Sequence, residues 1–169
     1  MRLFTKTLLV TLFYGSQSYA SLNSGTIVVL RGQAKTGDNK ILNEKDKVSA
    51  GSTVITGQRS FVRLLFPDNT QLNIGPDTTM RIEPSKPGEA SIVSLVGGQI
   101  RAKVTKDPLL NQGNSGAKEK MVIKTKTAAM GIRGTDFNVS FNPQNNITAL
   151  ITFEGNVAMT RLDPGTNPF

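Results

Sequence analysis

The sequence predicts an all-β protein, a single domain of short strands in a two-layered, solenoid-like or sandwich-like arrangement. Three observations carry that expectation. Beyond residue 20, no window keeps apolar residues at the i, i+3, i+4, i+7 spacing of an amphipathic helix for three turns. Alternation with a period of two recurs instead, most cleanly where Ile100, Ala102 and Val104 interleave with Gln99, Arg101 and Lys103. Turn-forming residues punctuate the chain at spacings of roughly 8–12 residues, as in sandwiches and barrels. The run of short strands and corners between Gly51 and Gly98 is loosely repetitive, but it lacks the fixed period of a solenoid array.

The elements follow in order. Residues 26–31, with Ile27, Val28 and Val29, read as the first strand. Gly37-Asp38-Asn39-Lys40 reads as a turn, because Gly, Asp and Asn tolerate the backbone angles of tight turns. A polar link over 43–50 leads to a strand at 52–56, which Gly57 closes. The strand at 59–66 sets Val62, Leu64 and Phe66 against Phe61 and Leu65, so it is expected to be covered on two faces. Pro67-Asp68-Asn69 turns into 71–74, and Gly75-Pro76-Asp77 turns into 78–83; Leu72, Ile74, Met80 and Ile82 are the inward residues. Residues 91–96 and 99–104 read as two strands split by Gly97-Gly98. The stretch 106–120 is dominated by Pro, Gly, Asn, Ser and charge, and reads as a long exposed loop or insertion. Strands are expected again at 121–125, 135–141, 146–153 and 157–162, before a breaker-rich tail at 163–169 that frays.

The first twenty residues look like a removable leader. Arg2 and Lys6 precede a short apolar run at 7–14, and Ser18-Tyr19-Ala20 offers small residues where a secretory cleavage site requires them. That run is shorter than the ~18 residues a membrane span needs. The expected organisation is therefore a signal peptide at 1–20, an all-β domain at 21–162 and a flexible tail at 163–169. The expected location is periplasmic or secreted. The sequence has no cysteine and no histidine, so disulfides are not used and thiol and imidazole chemistry are both missing. A net charge of +8 falls by two, to +6, once Arg2 and Lys6 leave with the leader; such a balance attracts anionic partners.

A group of short motifs stands out against this background. They are Gly51-Ser52-Thr53-Val54-Ile55-Thr56-Gly57, Ser60-Phe61-Val62-Arg63-Leu64 with Pro67-Asp68-Asn69-Thr70, and Leu95-Val96-Gly97-Gly98-Gln99-Ile100. Gly131-Ile132-Arg133-Gly134-Thr135-Asp136-Phe137 and Glu154-Gly155-Asn156-Val157 complete the set. In this order the parts resemble the FecR-like domain, named for the ferric-citrate regulators of bacterial envelopes, over about residues 51–160. Where that family usually has Asp-Gly, this chain has Asp68-Asn69, and Asn also enters the left-handed region readily. Members that signal across the inner membrane carry a cytoplasmic anti-sigma segment, a membrane helix and a further C-terminal subdomain, none of which is read here. The resemblance implies a stand-alone periplasmic FecR-like domain, whose all-β, solenoid-like body serves as a binding platform. Iron-uptake signalling is not implied by the name.

Candidate site residues fall into two groups. Asp68, Asn69, Gly131, Gly134 and Gly155 are expected to shape turns, and Arg133, beside Gly134, either reaches an acidic partner or pairs with Asp136. Arg101, Lys103, Lys124, Lys126 and Arg133, together with Lys106, Lys118 and Lys120, would make one basic face if 99–104 and 121–125 lie side by side. Such a face suits an envelope protein or an anionic cell-wall polymer; its bland alternative is a set of solvated edge lysines that discourage aggregation. Nucleic acid is disfavoured because no aromatic residue interleaves with the cluster. No catalytic motif is read: G-x-S-x-G is absent, and turn aspartates such as Asp68 and Asp77 more often shape the backbone. No cofactor is expected, and no metal, since Asp38-Asn39 lacks the further acidic ligands of a calcium loop. The expected function is a non-catalytic binding module. The alternatives are a self-assembling envelope subunit and a signalling accessory related to transmembrane sigma-factor regulators.

Overall fold

A computed structural model describes residues 24–86, 89–106 and 119–162. The expected leader, the body of the 106–120 loop and the tail lie outside the described residues. Thirteen strands form one continuous sheet that curls on itself, and the described residues contain no helix, so the all-β expectation holds. The strands are β1 (Ser24–Arg31), β2 (Ala34–Thr36), β3 (Lys47–Ser49), β4 (Thr53–Thr56), β5 (Phe61–Leu65), β6 (Gln71–Ile74) and β7 (Thr79–Glu83). They continue with β8 (Ser91–Lys103), β9 (Met121–Lys124), β10 (Ala128–Ile132), β11 (Asp136–Asn142), β12 (Ile147–Glu154) and β13 (Val157–Arg161).

The curl divides the sheet into two leaves with β8 in common. The front leaf runs β3-β1-β5-β6-β8-β11-β12, and the back leaf runs β2-β4-β7-β8-β9-β10-β13. The two expected strands at 91–96 and 99–104 are therefore one bent strand of 13 residues. Its first half lies between β7 and β9, its second half between β6 and β11. The bend falls at Gly98, whose φ of +94° lies in the left-handed region. A Cβ there would sit 2.6 Å from the Thr78 Cα, so the backbone approach itself excludes a side chain. Thr78 then fastens the bend: its hydroxyl accepts from Gln99 N (3.0 Å) and donates to Pro76 O (2.9 Å).

One hydrophobic cluster fills the space between the leaves. Val62, Leu64, Leu72, Ile100, Phe137 and Val139 enter from the front, and Val54, Met80, Val93, Met121, Ile123 and Met130 from the back. These are the inward positions of the alternating segments, as the period-two reading requires. Phe61 and Leu65, on the other side of β5, are only half-buried. β5 is therefore less fully covered on its outer face than expected.

Three strands escaped the sequence reading. β2 and β3 have three residues each, too short for alternation to register, and β3 lies within the expected polar link. β10 occupies Ala128–Ile132, where the two glycines suggested a turn. All pairings between strands are antiparallel except β8 with β9, where Ser91 stands opposite Met121. Parallel neighbours need a crossover of about a dozen residues or more. Residues 104–120 separate the two strands in the sequence, a length sufficient for that crossover.

Candidate functional site

The structure does not assemble the single basic face that the sequence suggested. Residues 99–103 of β8 belong to the front leaf, whereas β9 pairs with 91–94 on the back leaf. Arg101 and Lys103 thus lie on the outer face of one leaf, and Lys124 on that of the other, with Lys126 in the turn after β9. Lys120 is withdrawn from solvent. It pairs with Asp68 (both side chains are less than one-fifth exposed) and donates to Thr105 O at 3.0 Å. Lys106 faces Glu154 at 3.9 Å.

Arg101 is the most heavily engaged of the expected contacts. It forks onto Asp136, Nε to Oδ1 and Nη2 to Oδ2 both at 2.9 Å, and its guanidinium lies 4.4 Å from the centroid of the Phe153 ring. The Arg101 hydrogen bond holds the Asp136 carboxyl below its usual range, against the opposing effect of burial, and the same bond raises Arg101. Asp136 therefore takes its partner from the neighbouring strand, 35 positions away, a pairing that spacing along one strand does not reveal. Asn73 extends the row across β6, accepting from Arg63 Nε at 2.7 Å. Arg133 is half-buried in the link between β10 and β11.

The turn residues divide by the reason each is needed. Asn69 has φ of +63°, donates to Phe66 O (3.0 Å) and closes the β5–β6 hairpin, with Phe66 N donating to Thr70 O (3.0 Å). Asp68 accepts from Thr70 N (3.0 Å) and Thr70 Oγ1 (2.7 Å) in the same turn. Asn39 repeats this arrangement, with φ of +64° and a bond to Thr36 O. Gly134 and Gly155 have φ of +60° and +85°. Gly131 does not: it lies inside β10 opposite Val122 and Ala158, and a Cβ there would run into the Glu119 carboxylate. Space, not backbone angle, is what this glycine provides.

The last two strands expose a group of large apolar side chains. Ile147 (57%), Ile151 (56%) and Phe153 (56%) project from β12, and Met159 (47%) from β13. Among the described residues β12 pairs with β11 alone, and none of them bonds to the backbone of its other edge. No charged residue or proline interrupts 147–153. Thr148 anchors the start of the strand through 2.7 Å bonds to the hydroxyls of Thr125 and Thr127. The sequence reading found this strand but not its edge position. The clue was its composition: apolar residues at 147, 150, 151 and 153 depart from strict alternation in the last long strand.

Among the described residues, no group of three or more Asp, Glu, His or Cys side chains is placed to hold a metal ion. No helix among them is long and apolar enough to cross a membrane.

The curled sheet, with no helix among the described residues, defines the protein as an all-β fold. Comparison with known proteins supplies the family. The family described as FecR protein matches residues 52–158, close to the 51–160 expected, and the chain belongs to that family. No curated protein matches the chain. Two crystal structures of a protein from Parabacteroides distasonis, classed provisionally as an anti-sigma factor, share the fold at a TM-score of 0.51 and 19% identity. The match covers 65% of this chain and 50% of that one, so this chain corresponds to about half the length of its structural neighbour.

Proposed function

We propose that this protein is a non-catalytic binding module of the bacterial envelope, periplasmic or secreted, that acts as a signalling accessory by holding a partner protein along β12. The edge of β12 that pairs with no described residue carries this reading. Proteins normally blunt such edges with lysine, proline or bulges, and 147–153 has no lysine and no proline. An extended partner segment would complete the sheet through main-chain hydrogen bonds, while Ile147, Ile151 and Phe153 select its side chains. Membership of the FecR family, and a fold shared with a protein classed provisionally as an anti-sigma factor, support the signalling role. The leader-like residues 1–20 support export. The lack of histidine and cysteine in the sequence supports a role without catalysis.

The test is crosslinking capture from intact envelopes with the wild-type protein and with Ile147→Lys/Ile151→Lys. Both positions are exposed, so the variant should melt like wild type and lose the captured partner. The same partner on both proteins would overturn the proposal. A second reading, self-association through β12, is favoured by the absence of charge over 147–153, which leaves nothing to repel another copy. A persistent monomer in sedimentation at high concentration would remove it. An anionic cell-wall polymer is expected to use Lys103 on one leaf or Lys124 and Lys126 on the other. Co-sedimentation with peptidoglycan that ignores salt would dismiss those lysines.

A further inference from the structure

A cavity of about 560 Å³ lies between the outer face of the back leaf and the end of β11. Its size falls within the range of roughly 300–1,000 Å³ typical of small-molecule sites. Val96 of β8, Phe141 of β11 and Pro143 of the following turn give it apolar walls. Arg81 of β7 and Lys126 of the β9–β10 turn supply positive charge, Glu83 of β7 adds a carboxylate, and Ser94 of β8 also lines it.

Ser94 is the unusual member. It alternates with Val93 and Leu95, both in the core, so its side chain points to the outer face that bounds the cavity. It stands in register with Arg81 on one side and Lys124 on the other. Although only 1% exposed, its hydroxyl has no hydrogen-bond partner, and among the described residues it is the one buried side-chain polar atom so placed. Buried hydroxyls are ordinarily satisfied, because leaving one unpaired forfeits its hydration without return. Glu83 holds Arg81 at 3.3 Å, which steers the guanidinium and offsets part of its charge, so the site suits a ligand with a single negative charge.

The geometry points to a binding site for a small amphipathic monocarboxylate. Its apolar body packs against Val96, Phe141 and Pro143. Its carboxylate accepts a hydrogen bond from the Ser94 hydroxyl and meets the charges of Arg81 and Lys126. The cavity's front-leaf walls, Phe141 and Pro143, precede β12, but the site uses none of Ile147, Ile151 and Phe153 and does not depend on the partner proposed there.

Calorimetric titration of the full chain with octanoate tests the assignment. One saturable site is expected, with octan-1-ol, which lacks the charge, binding about tenfold more weakly or worse. Ser94→Ala should weaken octanoate by about tenfold without lowering the melting temperature, since it removes a hydroxyl that bonds to nothing in the protein. Val96→Trp, at a position 48% exposed, should fill the cavity and abolish binding while the fold persists. Lack of saturation at millimolar octanoate, equal affinity for octan-1-ol, or undiminished binding to Val96→Trp would each overturn the proposal.

Discussion

At the scale of single residues, the glycines and the Arg101–Asp136 pair make the sharpest predictions. Gly134 has φ of +60°, and a Cβ would press on the Lys106 side chain. Gly134→Val should therefore destabilise the fold by roughly 1–3 kcal/mol, seen as a lower melting temperature. Gly131→Ala should cost less, because its backbone is ordinary and the obstacle is the flexible end of Glu119. Asp136 is held below its ordinary value of 3.8 by the Arg101 hydrogen bond. Its pairing thus stabilises the protein above the ordinary carboxylate range, and that stabilisation fades as pH falls through the lowered value. Asp136→Asn should flatten the decline in melting temperature between roughly pH 5 and pH 2; a decline as steep as wild type would refute the pairing. The positive-φ role of Gly134 was legible in the sequence because glycine at a strand start has few other uses. Asp136 was assigned Arg133 as a local alternative, because linear spacing cannot see across a sheet.

At the scale of elements, alternation located every strand long enough to show several periods. It failed where strands were short, as in β2 and β3, and where glycine had two possible meanings. At Gly97-Gly98 and Gly131 a turn was expected and a strand continues, since glycine also serves where another chain segment comes close. Gly98→Ala tests this directly. A Cβ would meet the Thr78 backbone at 2.6 Å and Asp77 O at 2.8 Å, neither of which can swing aside. A loss of about 2 kcal/mol or more is expected, with weakened protection of the Gln99 amide in hydrogen exchange. Ordinary protection there would show that the bend tolerates a side chain. The link at 104–120 shows a different limit: its composition reads as an insertion, and only the parallel β8–β9 register reveals that the topology requires its length.

At the scale of the molecule, one cluster serves both leaves, so damage on either side reaches the whole fold. Phe137 is fully buried within it, and Phe137→Ala should cost about 3–5 kcal/mol, measured by denaturant titration. Loss of less than 1 kcal/mol would mean that the leaves are not packed as one body. The all-β class and the family could be read from patterning and motif order. The basic face could not, because its formation depended on which half of β8 lies beside β9. The shared strand has a further consequence. A chain cut between Gly97 and Gly98 would leave each fragment holding part of a seam that both require. Neither piece should fold alone, yet mixing them should restore the native state, making that junction a natural place to build a split reporter.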